Sequence, residues 1–196
     1  MSENFIPSKD KLYPEIYIDN FRELLDSIHK YSSKNAFCFK NLKTNEIVKI
    51  TYKQYIDDII GLSTKFLSLG LSGKRIAIIS HNKYPWPVSY MAIQTGGMIV
   101  VPLDYQLPIN EIELSLIRSN AEAVIFEEPF MDTFKKIRKN GKTNLKYYIC
   151  MELEEDTDGF LSFQKLVDAG RKLVLDGNDE FSKVKIDSTK MSILLF

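Results

Sequence analysis

Several short segments carry residue types that could do chemistry. Ser80 and His81 stand together in Ser80-His81-Asn82-Lys83-Tyr84-Pro85-Trp86. Neighbours on an extended chain point to opposite faces, so these two cannot pair as nucleophile and base. The segment does follow a short apolar run, and ligands in open α/β sheets gather just past a strand's carboxyl end. One large aromatic beside small polar groups suits an apolar pocket with a few orienting contacts. His81, Asn82 and Trp86 are therefore candidate substrate-binding residues. The bland alternative is a strand-to-helix turn in which Trp86 only packs.

The other temptations fail on context. Asn140-Gly141-Lys142-Thr143 carries the Gly-Lys-Thr ending of a phosphate loop, but the loop's first glycine would fall on Lys136. A strand pattern follows instead of the helix whose N-terminus should face the anion, so the segment reads as a turn. Ser162-Phe163-Gln164-Lys165 matches Ser-x-x-Lys, yet its partner motifs are absent and Ser162 is well placed as a helix N-cap. Gly96-Gly97 lies between a helix and a strand and suits a tight helix exit rather than phosphate contact. The acidic run Glu152 to Gly159 lacks the ligand spacing of a calcium loop and reads as a solvated connection. His29 and His81 are the only histidines, so no metal site is expected. Cys38 and Cys150, each in an apolar strand-like setting, read as buried free thiols in a reducing compartment.

The elements that position these residues follow from spacing. Asn20 with Glu23 opens a helix carrying Phe21, Leu24, Leu25 and Ile28. Ala36–Lys40 and Ile47–Ile50 form a hairpin around Asn41 to Asn45. Thr51 with Gln54 caps a long amphipathic helix that ends at Gly70. Arg75–Ser80, Met98–Val101, Ala123–Phe126 and Tyr147–Met151 are short apolar runs without a polar face, as in a parallel sheet buried on both sides. Helical stretches Trp86–Thr95, one capped by Asn110 and Glu113, and Phe130–Arg138 separate them, and Phe163–Leu175 follows. This alternation predicts an α/β doubly wound parallel sheet preceded by a helix and a β-hairpin.

Composition narrows the classes. The chain is 44% apolar and 12% aromatic, as a domain with a real core requires. Twenty-six basic residues balance twenty-six acidic ones, which argues against a nucleic-acid footprint. The longest apolar stretch, Met91 to Leu103, is too short and too interrupted to span a bilayer. Met1 to Asn4 lacks a signal-peptide profile, so the cytoplasm is the expected compartment. The last residues, Ile193-Leu194-Leu195-Phe196, would be an aggregation-prone strand edge. The sequence is therefore expected to stop short of a natural end.

Taken in order, the motifs resemble the N-terminal region of the adenylate-forming acyl-CoA synthetase superfamily, of the long-chain fatty acid–CoA ligase type. Ile50-Thr51-Tyr52 is similar to the family's "(L/I)TY" helix opening. Gly70 to Ile78 resembles its "GDRVAI" strand entry, with Lys74 in place of the acid. Asn82 to Trp86 resembles "NRPEW", with Pro85 departing from Glu. Gly97-Met98-Ile99-Val100-Val101-Pro102-Leu103-Asp104 is close to "GAVxVPLD". Met191 to Phe196 resembles the strand that runs into the family's "TSGTTGxPKG" loop.

The resemblance covers about Phe21 to the end and divides the chain into a leader over 1–19 and an N-terminal subdomain over 20–196. It implies a parent enzyme that joins a carboxylic acid to ATP, giving an acyl-adenylate, and then to the thiol of CoA. ATP, Mg²⁺ and CoA are implied for that full-length enzyme, and tight binding of none is expected here. The family's catalytic residues correspond to positions beyond Phe196, so none is carried onto this chain. Implied partners are the rest of the same polypeptide and a small carboxylic acid, and a homodimer is compatible with the resemblance. The main alternative is a stand-alone α/β binding or scaffold module. A Rossmann-like oxidoreductase is disfavoured because the glycine fingerprint is missing.

Overall fold

A computed structural model of the chain describes residues 16–41 and 44–196. The leader's first fifteen residues and two residues of the hairpin turn lie outside that description.

The first helix, α1 (Phe21–Ser27), is capped by Asn20, whose side chain accepts from the backbone N–H groups of Arg22 and Glu23 at 3.0 and 3.1 Å. The hairpin follows as β1 (Asn35–Lys40) and β2 (Ile47–Thr51), antiparallel. Thr51 then caps α2 (Tyr52–Ser68): it accepts from the Gln54 N–H at 3.2 Å, and Gln54 accepts from the Thr51 N–H at 3.0 Å. The reciprocal box satisfies two helix-end donors that would otherwise lack partners.

The main sheet contains β3 (Arg75–Ile79), β4 (Ile99–Pro102), β5 (Ala123–Phe126), β6 (Tyr147–Cys150) and β7 (Phe160–Ser162), all parallel, in spatial order β4-β3-β5-β6-β7. Alternation along each strand splits the core in two. Ile76, Ile78, Val100, Ile125 and Ile149 face α2, α3 (Pro85–Thr95) and α6 (Phe163–Leu175). Ala77, Ile79, Val101, Val124 and Phe126 face α4 (Ile109–Ser119) and α5 (Met131–Asn140). The chain runs from β3 outward to β4 and then returns past β3 to β5, so the winding reverses between β3 and β5. That is the doubly wound, three-layer sheet expected, and its switch point lies at the ends of β3 and β5.

Several expectations are corrected. A fifth strand, β7, pairs with β6 through Tyr148↔Phe160. Asn110 lies inside α4, whose N-cap is Pro108. Met191–Phe196 is no strand: one parallel bridge joins Ile193 to Val100, held by Val100 N–H to Ser192 O and Leu194 N–H to Val100 O, both 3.0 Å. Leu195 and Phe196 are exposed. Cys38 is exposed while Cys150 is buried. The reason is the period of two: Phe37 packs edge-on against Tyr55 and Tyr84, so Cys38 on the same strand points away.

The rejected motifs behave as turns and caps. Gly141, at φ +66°, closes α5 in the left-handed region, and Ser162 caps α6 by accepting from the Lys165 N–H at 3.3 Å. Gly97, at φ +71°, turns the chain out of α3. Helices α2 and α6 cross at a glycine pair, where a Cβ on Gly170 would lie 1.8 Å from the Gly61 carbonyl oxygen.

Candidate functional site

The carboxyl ends of the parallel strands converge on one buried carboxylate. Glu127 directly follows β5 and is 1% exposed. Across the switch point it accepts from the His81 backbone N–H at 3.2 Å, and its Oε1 lies 2.5 Å from His81 Nδ1. Lys83 Nζ stands 2.7 Å from Glu127 Oε2 and 2.6 Å from Glu152 Oε1, and Glu152 follows β6 closely. Glu152 also accepts from the Glu128 N–H at 2.8 Å. Tyr105, beyond β4, lays its ring 4.0 Å from the His81 ring, centroid to centroid. Four strand ends thus contribute to one cluster.

The charges support one another. Burial alone would push the Glu127 carboxyl up, but hydrogen bonds from Lys83 and His81 outweigh it and hold the group below the usual carboxylate range. Burial tends to lower Lys83, and its two carboxylate partners more than reverse this, so its ammonium is stabilised. Burial pushes the Cys150 thiol up, which leaves it inert beside the cluster.

The loop after β3 is pinned at its other end as well. Tyr84 donates its hydroxyl to Asp58 of α2 at 2.7 Å, and Arg171 of α6 pairs with the same carboxylate. Burial is the main force raising Asp58, opposed by those two partners. His81, Asn82 and Lys83 are consequently held between two anchors, with Asn82 exposed.

Of the three sequence candidates, His81 enters the cluster and Asn82 stands on the same loop. Trp86 instead packs half-buried against the α2–α3 side of the core, stacked on Tyr90 at 5.3 Å and 13°. Sequence reasoning missed Lys83, Tyr105, Glu127 and Glu152. The available signal was positional, since each follows a buried parallel strand within a few residues. Glu152, read as part of a solvated run, is in fact an ion-pair partner.

A concavity of about 740 Å³ lies elsewhere. It runs between Gly96–Ile99 at the start of β4 and the segment Glu180–Ser192, away from the strand ends where polar groups converge. Two of its three lysines pair locally, Lys183 with Asp179 at 2.6 Å and Lys190 with Asp187 at 3.8 Å.

A triphosphate does not fit the ends of β3, β4 and β5. The turns Ser80–Tyr84, Leu103–Pro108 and Glu127–Phe130 contain no glycine to let backbone N–H groups converge. Pro85 and Pro108 remove donors at the starts of α3 and α4. Among the described residues, no three His, Cys, Asp or Glu side chains form a group that could hold a metal ion. No helix among them is long and apolar enough to cross a membrane.

Comparison with known proteins adds an independent finding. Residues 24–190 match the model of the family described as AMP-binding enzyme. The medium-chain acyl-CoA ligase ACSF2, mitochondrial, of Bos taurus is 24% identical over 135 residues, covering 68% of this chain and 21% of that protein. Its Homo sapiens counterpart is 26% identical over 133 residues, covering 67% and 20%. 4-Hydroxybutyrate–CoA ligase 2 of Metallosphaera sedula is 18% identical over 149 residues, covering 70% and 27%. The chain thus spans about a fifth to a quarter of the length of these relatives. Among solved structures, the anthranilate CoA ligase AuaEII in complex with anthranoyl-AMP superimposes with a TM-score of 0.67 at 22% identity, covering 80% of this chain and 29% of that one. The luciferase-like enzyme of the Zophobas morio mealworm superimposes with a TM-score of 0.69 at 16% identity, covering 94% and 41%.

Proposed function

We propose, from the premise that this chain belongs to the AMP-binding enzyme family, that it is the N-terminal subdomain, residues 20–196, of an ATP-dependent acid–thiol ligase. The single observation that carries this is the family match along residues 24–190, over a sheet whose polar groups gather at its switch point. The parent reaction would join a carboxylate to the α-phosphate of ATP with loss of pyrophosphate, and a thiol would then displace AMP. The substrate class we favour is a fatty acid, on the Asn82…Trp86 match and the medium-chain relatives. ATP, Mg²⁺ and the thiol substrate CoA are needed by that reaction. The ends of β3, β4 and β5 lack a phosphate cradle, so no step is assigned to ATP or Mg²⁺ here, and the rest of the same polypeptide would hold them. The two unbridged cysteines favour a reducing compartment such as the cytoplasm.

Within that reading, His81, Asn82 and Trp86 line the acyl side of the complete enzyme rather than its nucleotide side. His81 and Asn82 supply polar groups on a loop anchored at both ends, and Trp86 supplies aromatic surface at the start of α3. Trp86→Ala in the long polypeptide is expected to raise the KM for the acid about tenfold or shift chain-length preference. The KM for ATP should be nearly unchanged, as losing about 1–3 kcal/mol in a specificity pocket implies. The stacking of Trp86 on Tyr90 supplies the competing outcome, a lower melting temperature with unaltered chain-length preference. That second result would remove Trp86 from the site.

A further inference from the structure

We propose that His81 and Glu127 form a proton-accepting pair that takes the proton of the thiol substrate. The inference rests on the acid–thiol ligase reading above.

The geometry fixes the direction of the pair. An ionised carboxylate only accepts hydrogen bonds, so the 2.5 Å contact places the imidazole hydrogen on Nδ1. The neutral ring then carries its lone pair on Nε2. No partner holds Nε2 among the described residues, and 57% of the His81 side chain is open. Glu127 is kept ionised by Lys83 and held by the His81 backbone N–H, so it orients the ring without taking its proton. The Tyr105 ring against the imidazole limits its rotation. This is the arrangement in which a buried carboxylate selects one tautomer and stabilises the imidazolium that forms.

Charge identifies the ligand group. With a neutral His81, the ion-paired set of Lys83, Glu127 and Glu152 carries one net negative charge. That charge stabilises the imidazolium and so favours a group that gives up a proton to the ring. Only one step of the proposed reaction has such a group. In adenylation a carboxylate oxygen bonds to phosphorus and pyrophosphate leaves, and the acid has no proton to lose. In thioester formation the sulfur–carbon bond forms and the carbon–oxygen bond to AMP breaks. AMP departs with that electron pair, and the S–H proton must be taken up. Nε2 of His81 accepts it, and Glu127 acts as the positioning residue.

The test separates the two half-reactions in the long polypeptide. Thioester formation is timed from preformed acyl-adenylate, and adenylation is followed by acid-dependent ATP–pyrophosphate exchange. His81→Gln should slow thioester formation about 10²–10⁴-fold, the usual contribution of a positioned general base, and far more than it slows exchange run at saturating acid, where a weakened acid contact shows only in KM. Glu127→Gln should slow the thioester step and displace the rising limb of its pH profile, which a merely structural loss would not do. Parallel loss in both half-reactions, or loss in neither, overturns the assignment. The 196-residue chain gives an independent check through the nitrogen NMR spectrum of His81. The Nδ1–H tautomer should dominate and be lost in Glu127→Gln, and a dominant Nε2–H tautomer sinks the pair whatever the ligase does. A polypeptide that makes no adenylate, with the tautomer intact, would refute the ligase reading and with it the thiol, leaving only the hydrogen-bonded pair.

Discussion

Replacing Gly170 with alanine is expected to destabilise the chain at the upper end of the 1–3 kcal/mol range, about 3 kcal/mol, the usual scale of overpacking. The added Cβ would sit 1.8 Å from the Gly61 carbonyl oxygen and 2.5 Å from its carbon. Both are backbone atoms within α2, so no rotamer change relieves the clash and the helices must separate. The gap would open beside the buried Asp58 with its Arg171 partner and would loosen Leu62 and Val167, both in the core. Alanine gains about 1 kcal/mol of helix propensity over glycine, too little to offset the clash. Thermal melts of Gly170→Ala beside the exposed α6 control Lys172→Ala should show a drop of about 6–12 °C for the first only, at about 2–4 °C per kcal/mol for this size. An unchanged or raised melting temperature would show that α2 and α6 are not in van der Waals contact there.

Lys83→Met is expected to cost about 3 kcal/mol at neutral pH. It removes the ammonium shared by Glu127 and Glu152 and leaves Glu127 buried with only His81 to balance it. Breaking a buried ion pair from one side costs about 3–5 kcal/mol, and partial exposure of Lys83 places this case at the low end. The pH dependence has a definite sign. The folded Glu127 carboxyl is held below its ordinary value of 4.5. Its contribution is therefore present above the unfolded value and is lost as pH falls through the lower, folded one. In Lys83→Met the chief opposing partner is gone, burial pushes Glu127 up, and the carboxyl protonates at a higher pH than in the parent. Urea melts at pH 7 and pH 4 should show the gap between the two proteins shrinking at the lower pH. A gap that widens on acidification would contradict the ion-pair account.

Much of the fold was legible because burial on both faces leaves a plain mark. Ile76 to Ile79 and Ala123 to Phe126 are uninterrupted apolar runs, and such runs spaced by amphipathic helices admit few topologies. Strand β7 left no such mark: Phe160-Leu161-Ser162 is short, lies between an acidic run and a helix, and is a strand because β6 offers it an edge. Cys38 shows the limit of local apolarity, since its strand is half-buried only at Ala36 and Phe37. At the site, His81 was found from the rule about strand ends. Its partners were not, because Glu127 lies 46 residues away and meets it only through the order β3-β5. Periodicity sets which residues share a face but carries no information on strand order. The same holds for Lys83 and Glu152, which meet across 69 residues. Trp86 drew notice for its chemistry, and its direction on α3, which the sequence does not carry, is set by packing with Tyr90.

The central claim is that residues 20–196 are one part of an acid-activating ligase and do not activate acids alone. The direct measurement is acid-dependent exchange of labelled pyrophosphate into ATP, run on two samples. One is the 196-residue chain, and the other is the polypeptide that carries this chain together with the remainder of an AMP-binding enzyme. Exchange is expected from the long polypeptide with a fatty acid present, and none above background from the 196-residue chain. Exchange catalysed by purified residues 1–196 alone, or its absence from the long polypeptide with every fatty and aromatic acid supplied, would contradict the account.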